Sequence, residues 1–184
     1  MLNRNKKYYQ TLFFLFSFLI IHSTFLNATI RFVSKTGSST PPYLTWETAA
    51  DSIQKCINIS VFGDTIYVAN GIYQEQVVMI PGLSLIGAGM DSCVVDTRQL
   101  LTMQNYKTID MKDSCLIKGF YIRSTIDFNY GYGIYTEANV GLITENKFSD
   151  ANIGVVLWES NIRCITIIFL KYGLELRYST HILL

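Results

Sequence analysis

The chain repeats itself. Asp91-Ser92-Cys93-Val94-Val95 returns as Asp113-Ser114-Cys115-Leu116-Ile117 after 22 residues, and Ile143-Thr144 returns as Ile165-Thr166 at the same interval. Tyr132-Gly133-Ile134 returns as Ile153-Gly154-Val155 after 21 residues, then as Tyr172-Gly173-Leu174 after a further 19. Between these segments lie Gly, Asn and Asp, and from residues 65–69 through 173–177 the pattern is one of short strands with no helical period. An interval of about twenty residues made of β segments restricts the chain to a solenoid in which each coil rests on the last. Leucine-rich repeats share the period, but their Leu/Asn consensus is absent. A β-sandwich would show hairpin turns and no sequence repeat.

Residues 1–28 differ from the rest. Arg4, Lys6 and Lys7 precede an apolar run from Leu12 to Ile21, which ends at His22, Ser23 and Thr24. That run is about ten residues, the length of a signal-peptide core and half of the ~20 needed to span a bilayer. We expect cleavage after Ala28 and secretion to the periplasm, the cell surface or the medium, with no membrane span left in the mature chain; the alternative is an uncleaved anchor. The remainder carries 12 basic and 14 acidic residues and no basic stripe, which argues against a nucleic-acid partner.

Residues 29–62 read as an N-terminal strand (29–34), a Gly/Ser/Pro-rich turn and a helix over 46–59. Ala49, Ile53 and Ile57 recur every four residues with Ala50 and Cys56 beside them, and Thr45 is placed to cap the helix. Residues 63–184 carry the coils. The run Gly63-Asp64-Thr65-Ile66-Tyr67-Val68-Ala69-Asn70-Gly71-Ile72-Tyr73-Gln74-Glu75, followed by Leu83-Ser84-Leu85-Ile86-Gly87-Ala88-Gly89, resembles the first coil of the right-handed parallel β-helix proteins, the pectin-lyase-like superfamily. The Asn–x–Phe step at Asn146 and Phe148 and the Gly–apolar strand from Gly154 to Leu157 resemble the group's later coils. The resemblance implies an all-β fold, a right-handed parallel β-helix with an N-terminal amphipathic capping helix supplied by 46–59.

The first coil is most similar to that of pectin methylesterases. Their chemistry uses a nucleophilic Asp, an acid/base Asp, a sugar-positioning Arg and oxyanion-stabilising Gln, carried in Gln-Ala-Val-Ala-Leu, Asp-Phe-Ile-Phe-Gly and Leu-Gly-Arg-Pro-Trp motifs. Only the second has a counterpart here, Asp127-Phe128-Asn129-Tyr130-Gly131. The clustered acids and Arg base of pectate lyases are not evident either. His22 and His181 lie at the two ends, so no Ser/His/Asp set is available. No catalytic residue, metal or cofactor is therefore assigned. The resulting expectation is a non-catalytic polysaccharide-binding or scaffold protein. The alternative is a polysaccharide-active lyase, hydrolase or esterase whose catalytic coils lie beyond residue 184. A patterned Asp/Arg/Lys cluster on one outer face would favour the alternative, and the coils show none at the level of sequence.

Individual residues have blander readings. Glu75 is expected to bind backbone near the helix cap rather than act as an acid. Gly87 and Gly89 suit a tight corner. Cys93 and Cys115 are expected to stack as buried thiols one coil apart, with a disulfide as the alternative. Asp91 and Asp113 stack likewise as exposed turn acids, with Ca²⁺ as the alternative. Ile168 is expected opposite Asn146, breaking an Asn ladder.

Aligning Gly133, Gly154 and Gly173 places Ile134, Val155, Leu174, Thr136, Leu157 and Leu176 inward. Two outward columns result: Tyr135, Val156 and Glu175, and Glu137, Trp158 and Arg177. An outward Trp between polar groups is what sugar recognition needs, so Tyr135, Glu137, Trp158, Glu175 and Arg177 form the candidate glycan face. The chain runs to His181-Ile182-Leu183-Leu184, the start of a further strand with no polar cap, which reads as a fragment of a longer β-helix. A bare last coil should associate end to end. Light scattering over a concentration series should show the mass rising, and a stable monomer would overturn that expectation.

Overall fold

The computed structural model describes residues 28–100, 106–124 and 131–158, the isolated Tyr9, and the backbone of three later strands. Apart from Tyr9 and Ala28, the expected signal segment lies outside the described residues, as do Ile165, Thr166 and residues 172–174 of the repeats. The strands form three sheets. The first runs β1 (Ile30–Val33), β2 (Thr65–Val68), β5 (Ser84–Gly87), β8 (Cys115–Lys118), β11 (Gly141–Thr144), β14 (Arg163–Cys164). The second runs β3 (Gly71–Tyr73), β6 (Cys93–Asp96), β9 (Tyr121–Arg123), β12 (Asn146–Ser149), β15 (Ile167–Phe169). The third runs β4 (Val77–Val78), β7 (Lys107–Met111), β10 (Tyr132–Thr136), β13 (Ile153–Trp158), β16 (Glu175–Ser179). Every pairing between them is parallel, and successive strands visit the sheets in turn, so the chain winds as a parallel β-helix.

Stacking in register turns the period-two side-chain pattern into columns. Ile66, Leu85, Ile117 and Ile143 line the inside of the first sheet, each fully buried. Tyr73, Val95, Ile122 and Phe148 line the second, and Val77, Ile109, Ile134 and Val155 the third. Burying each such side chain contributes about 1.5–3 kcal/mol, so the columns are the main source of stability. The coils also approach closely at corners: a Cβ on Gly87 would stand 2.5 Å from the Gly119 carbonyl oxygen.

The column of the first sheet begins with a charge. Arg31 is the register partner of Ile66 and is buried, and its Nε lies 3.1 Å from Asp64 Oδ2. Asp64 is wholly buried and also accepts from Thr29 N at 2.7 Å and Val61 N at 3.0 Å. Arg31 Nη1 donates to the Pro42 carbonyl at 2.8 Å. A buried carboxylate demands such pairing.

The helix is shorter than the apolar stripe suggests: α1 spans Ile53–Ile57 rather than 46–59, and its N-cap is Ser52 rather than Thr45. Residues 47–50 are claimed by other backbone. Ala50 N donates to Phe32 O and Ser34 N to Ala50 O along the free edge of β1, while Ser38, Ser39 and Thr40 donate to Glu47, Ala49 and Thr48. Ala49 packs so tightly on Gly37 that a Cβ there would lie 2.4 Å from its carbonyl oxygen. Thr45 instead closes a local turn with Thr48. Ile53 and Ile57 are buried, as the stripe requires.

Glu75 ties this helix to the first coil. Its Oε1 accepts from Ile53 N at 2.8 Å, and its Oε2 accepts from Gln54 N at 2.9 Å and from Ser52 Oγ at 2.6 Å. Two of the N–H groups that a helix start leaves without partners are thus met by one carboxylate from 22 residues away. Gln54 extends the same plug, since its amide donates to Val78 O and accepts from Val78 N, standing in for a strand beside β4.

Four expectations about the repeat need correction. Cys93 begins β6 in the second sheet and Cys115 begins β8 in the first, so they are not stacked and the disulfide is excluded. Asp91 and Asp113 separate with them: Lys147 Nζ is 3.2 Å from Asp91, and Asp113 Oδ1 accepts from Ser114 N and Val140 N. The cause is phase. Val95 and Ile122 are register partners 27 residues apart, because a long connection after β6 stretches that coil. Likewise Ile143 pairs with Cys164, not Ile165, and Asn146 faces Ile167, not Ile168, so the break at Asn146 stands one residue earlier. The alignment of Tyr132 with Ile153 and of Ile134 with Val155 holds.

Two measurements check this architecture. Glu75→Ala leaves Ile53 N–H and Gln54 N–H without their acceptor and should cost about 2 kcal/mol in urea unfolding; an unchanged midpoint would mean that Glu75 does not fasten the plug. Cys56 and Cys93 are buried, and desolvation pushes each thiol up to about 12. Iodoacetamide near pH ~8 should therefore leave both unlabelled in the native protein and modify both in denaturant, with peptide mapping as the readout.

Candidate functional site

The outer face of the third sheet is where the candidate glycan residues gather. Alternation sends Asp110 of β7, Tyr135 of β10 and Val156 of β13 outward in one register column, while Ile109, Ile134 and Val155 point in. Glu137 follows Thr136, whose register partner is Leu157, and Trp158 follows Leu157 at the end of β13. Trp158 is 50% exposed.

Tyr135 organises the middle of this face. Its hydroxyl donates to Glu137 Oε1. Lys107 Nζ lies 3.7 Å from its ring centroid, a close cation–π contact. Tyr132 stacks on it at 6.2 Å and 8° between planes, and Tyr106 meets Tyr132 edge-on at 5.1 Å. Burial pushes the Tyr135 hydroxyl well above its ordinary pKa, and the hydrogen bond to Glu137 pushes it further, so it remains a donor. Beside the ring, Asp110 Oδ2 takes Lys112 Nζ at 2.9 Å and Lys107 Nζ at 3.7 Å. Lys107, Asp110, Lys112, Tyr135, Glu137 and Asn139 surround a depression of about 170 Å³. The set offers aromatic planes edged by fixed donors and acceptors of both signs. That arrangement suits the apolar face and hydroxyls of a sugar ring.

The last coil does not join this face as expected. Arg177 is the register partner of Val156, Trp158 pairs with Ser179, and Glu175 pairs with Ile153. Arg177 therefore falls in the Tyr135 column and not beside Trp158, and Glu175 leaves that column. The alignment on Gly173 was three residues out at Glu175, because register shifts between Ile153 and Val156, and two residues out at Arg177. Strand alternation cannot reveal the slip at Arg177, because moving by two keeps every residue on its face. Sequence reading also missed Lys107, Asp110 and Lys112, which follow the long connection after β6.

It missed a second cluster as well. On the outer face of the second sheet, Asp96 and Arg123 are register partners, and Asp150 follows Ser149, the partner of Arg123. Arg98 Nη2 lies 2.8 Å from Asp96 Oδ2, and Arg123 Nη2 lies 3.3 Å from Asp150 Oδ2. This is the patterned Asp/Arg cluster that the sequence did not display; the long connection after β6 hides its spacing. Burial raises the Asp96 carboxyl, but hydrogen bonds and charge from Arg98, with charge from Arg123, more than offset this and hold it below its ordinary range. Asp127, Phe128, Asn129 and Tyr130 lie outside the described residues. No helix among the described residues is long and apolar enough to cross a membrane.

No protein-family model matches the chain, and no curated protein matches it. Solved structures do. A pectin methylesterase from Erwinia chrysanthemi superposes with a TM-score of 0.53 at 16% identity, covering 77% of this chain and 50% of that one. A pectin methylesterase mutant in complex with a hexasaccharide gives 0.53 at 18% identity, and another hexasaccharide complex gives 0.53 at 17%, with the same coverage. The chain spans about half the length of these structures. Their likeness and the three parallel sheets agree on the architecture: the chain is a right-handed parallel β-helix of the pectin-lyase-like fold.

Proposed function

We propose that this is a secreted or cell-surface β-helix protein that binds polysaccharide on the outer face of its third sheet without chemically altering it. The observation that carries the reading is Trp158, half exposed at the outer end of β13 on the same face as Tyr135, whose hydroxyl is already fixed on Glu137. Trp158 supplies an apolar plane for a sugar ring, and Glu137, Asp110 and Lys112 supply partners for its hydroxyls. The N-terminal basic and apolar segment supports export. Structures of pectin methylesterases in complex with hexasaccharides support a sugar chain as a fitting ligand for this fold. The Asp/Arg cluster of the second sheet is the feature assigned above to the polysaccharide-active alternative, so binding and turnover are measured together.

A glycan array followed by calorimetry on the best ligand makes the test. Trp158→Ala should weaken binding roughly tenfold or more, and Trp158→Phe should keep most of it. Unchanged affinity in Trp158→Ala would remove this face from the reading. Unsaturated, shortened or de-esterified product from the same glycan would overturn the non-catalytic part.

A further inference from the structure

The Asp/Arg cluster of the second sheet goes beyond that reading, because its two acids are held very differently. Asp96 is nearly buried, with 9% of its side chain exposed, and it grips Arg98 through Nε at 3.0 and 3.2 Å and Nη2 at 2.8 Å. This bidentate pair fixes the Arg98 guanidinium. Asp150 is 44% exposed at the side chain, and its Oδ2 sits farther out: 3.3 Å from Arg123 Nη2, 3.4 Å from Arg123 Nε and 3.8 Å from Arg98 Nη1. Ser149 Oγ donates to the same oxygen at 2.9 Å. Two guanidinium groups thus converge on one loosely held, solvent-facing carboxylate. Next to them, Gln74, Asp96, Arg98, Gln99 and Leu100 line a cleft of about 230 Å³, with Leu100 47% exposed.

We propose that Arg98 and Arg123 form an oxyanion site for an acidic polysaccharide, and that Asp150 is its resident occupant in the unliganded chain. A carboxylate or sulfate on the sugar chain displaces the Asp150 carboxylate, which moves into water at little cost because it is already half in it. Charge in the cluster stays balanced through the exchange. Gln74 and Gln99 meet hydroxyls on the attached ring, and Leu100 meets its apolar edge. Asp96 stays in place and positions Arg98.

The sign of one variant separates this from a merely structural ion network. Asp150→Asn removes the competing charge and leaves the arginines, so the full-length chain should bind polygalacturonate (carboxylate) or dextran sulfate (sulfate) roughly tenfold tighter. Neutral dextran should be unaffected. Arg123→Gln should lower acidic-glycan binding, and the gain in Asp150→Asn should fade as salt rises. A gain with only one of the two glycans identifies the source of the oxyanion and still supports the site. The gain should persist in the Asp150→Asn/Trp158→Ala double variant, which separates it from the third-sheet reading. Equal or weaker acidic-glycan binding by Asp150→Asn, with its melting temperature near the parent's, would overturn the proposal, as would an equal gain for neutral dextran.

Discussion

A parallel stack lends each coil the surface and the backbone partners of the coil before it. Among the described residues the first coil has no predecessor, so everything downstream depends on how that start is closed. Here two carboxylates do most of it. Asp64 pairs with Arg31, which heads the first column, and gathers Thr29 N and Val61 N, so that β1 joins the sheet ahead of β2. Glu75 leaves the other side of the coil and binds the start of α1. The starting edges of β1 and β4 are met by the backbone of Ala50 and the Gln54 amide. An exposed edge of this kind would recruit other chains. This chain covers it with a few residues and one helical turn.

The binding of Glu75 at the helix start was legible in the sequence because its motif is local, whereas the parts played by Asp64, Ala50 and Gln54 were not. The run from Gly63 to Glu75 holds Asp64, the inward Ile66 and Val68, and Glu75 at fixed offsets, and the fold turns on those offsets. The burial of Ile53 and Ile57 was legible too. The helix bounds were not: Ala49 and Ala50 are buried by the edge of β1 and the Gly37 turn, and burial of either origin leaves the same apolar letters. Register failed wherever a coil was uneven. The Cys93 and Cys115 segments look alike because each opens a strand after a turn, yet the strands belong to different sheets. A local motif reports local conformation and carries no information on which side of the coil it lies.

The outer surfaces follow the same division. Tyr135, Glu137 and Trp158 come from even coils, where Tyr132 and Ile153 stand in register, and their common face was readable from alternation alone. Asp96 and Lys107 flank the uneven connection after β6, and only the wound chain brings Asp96 to Arg123 and Asp110 to Tyr135. The two faces differ in kind. The third sheet sets aromatic planes among mixed charges, whereas the second holds a compact exchange between two acids and two arginines.

The bond network from Glu75 to Ser52, Ile53 and Gln54 also bears on the order in which the molecule can assemble. All four residues precede the later coils in the chain, so they emerge before them during synthesis. Once Glu75 has appeared, the plug and the first coil can close on each other with nothing further required. Each later coil then needs only its predecessor as a template, so ordering can keep pace with emergence and no strand waits for a distant partner. A fold begun in this way grows in one direction, like a rope laid down turn by turn on a fixed pin.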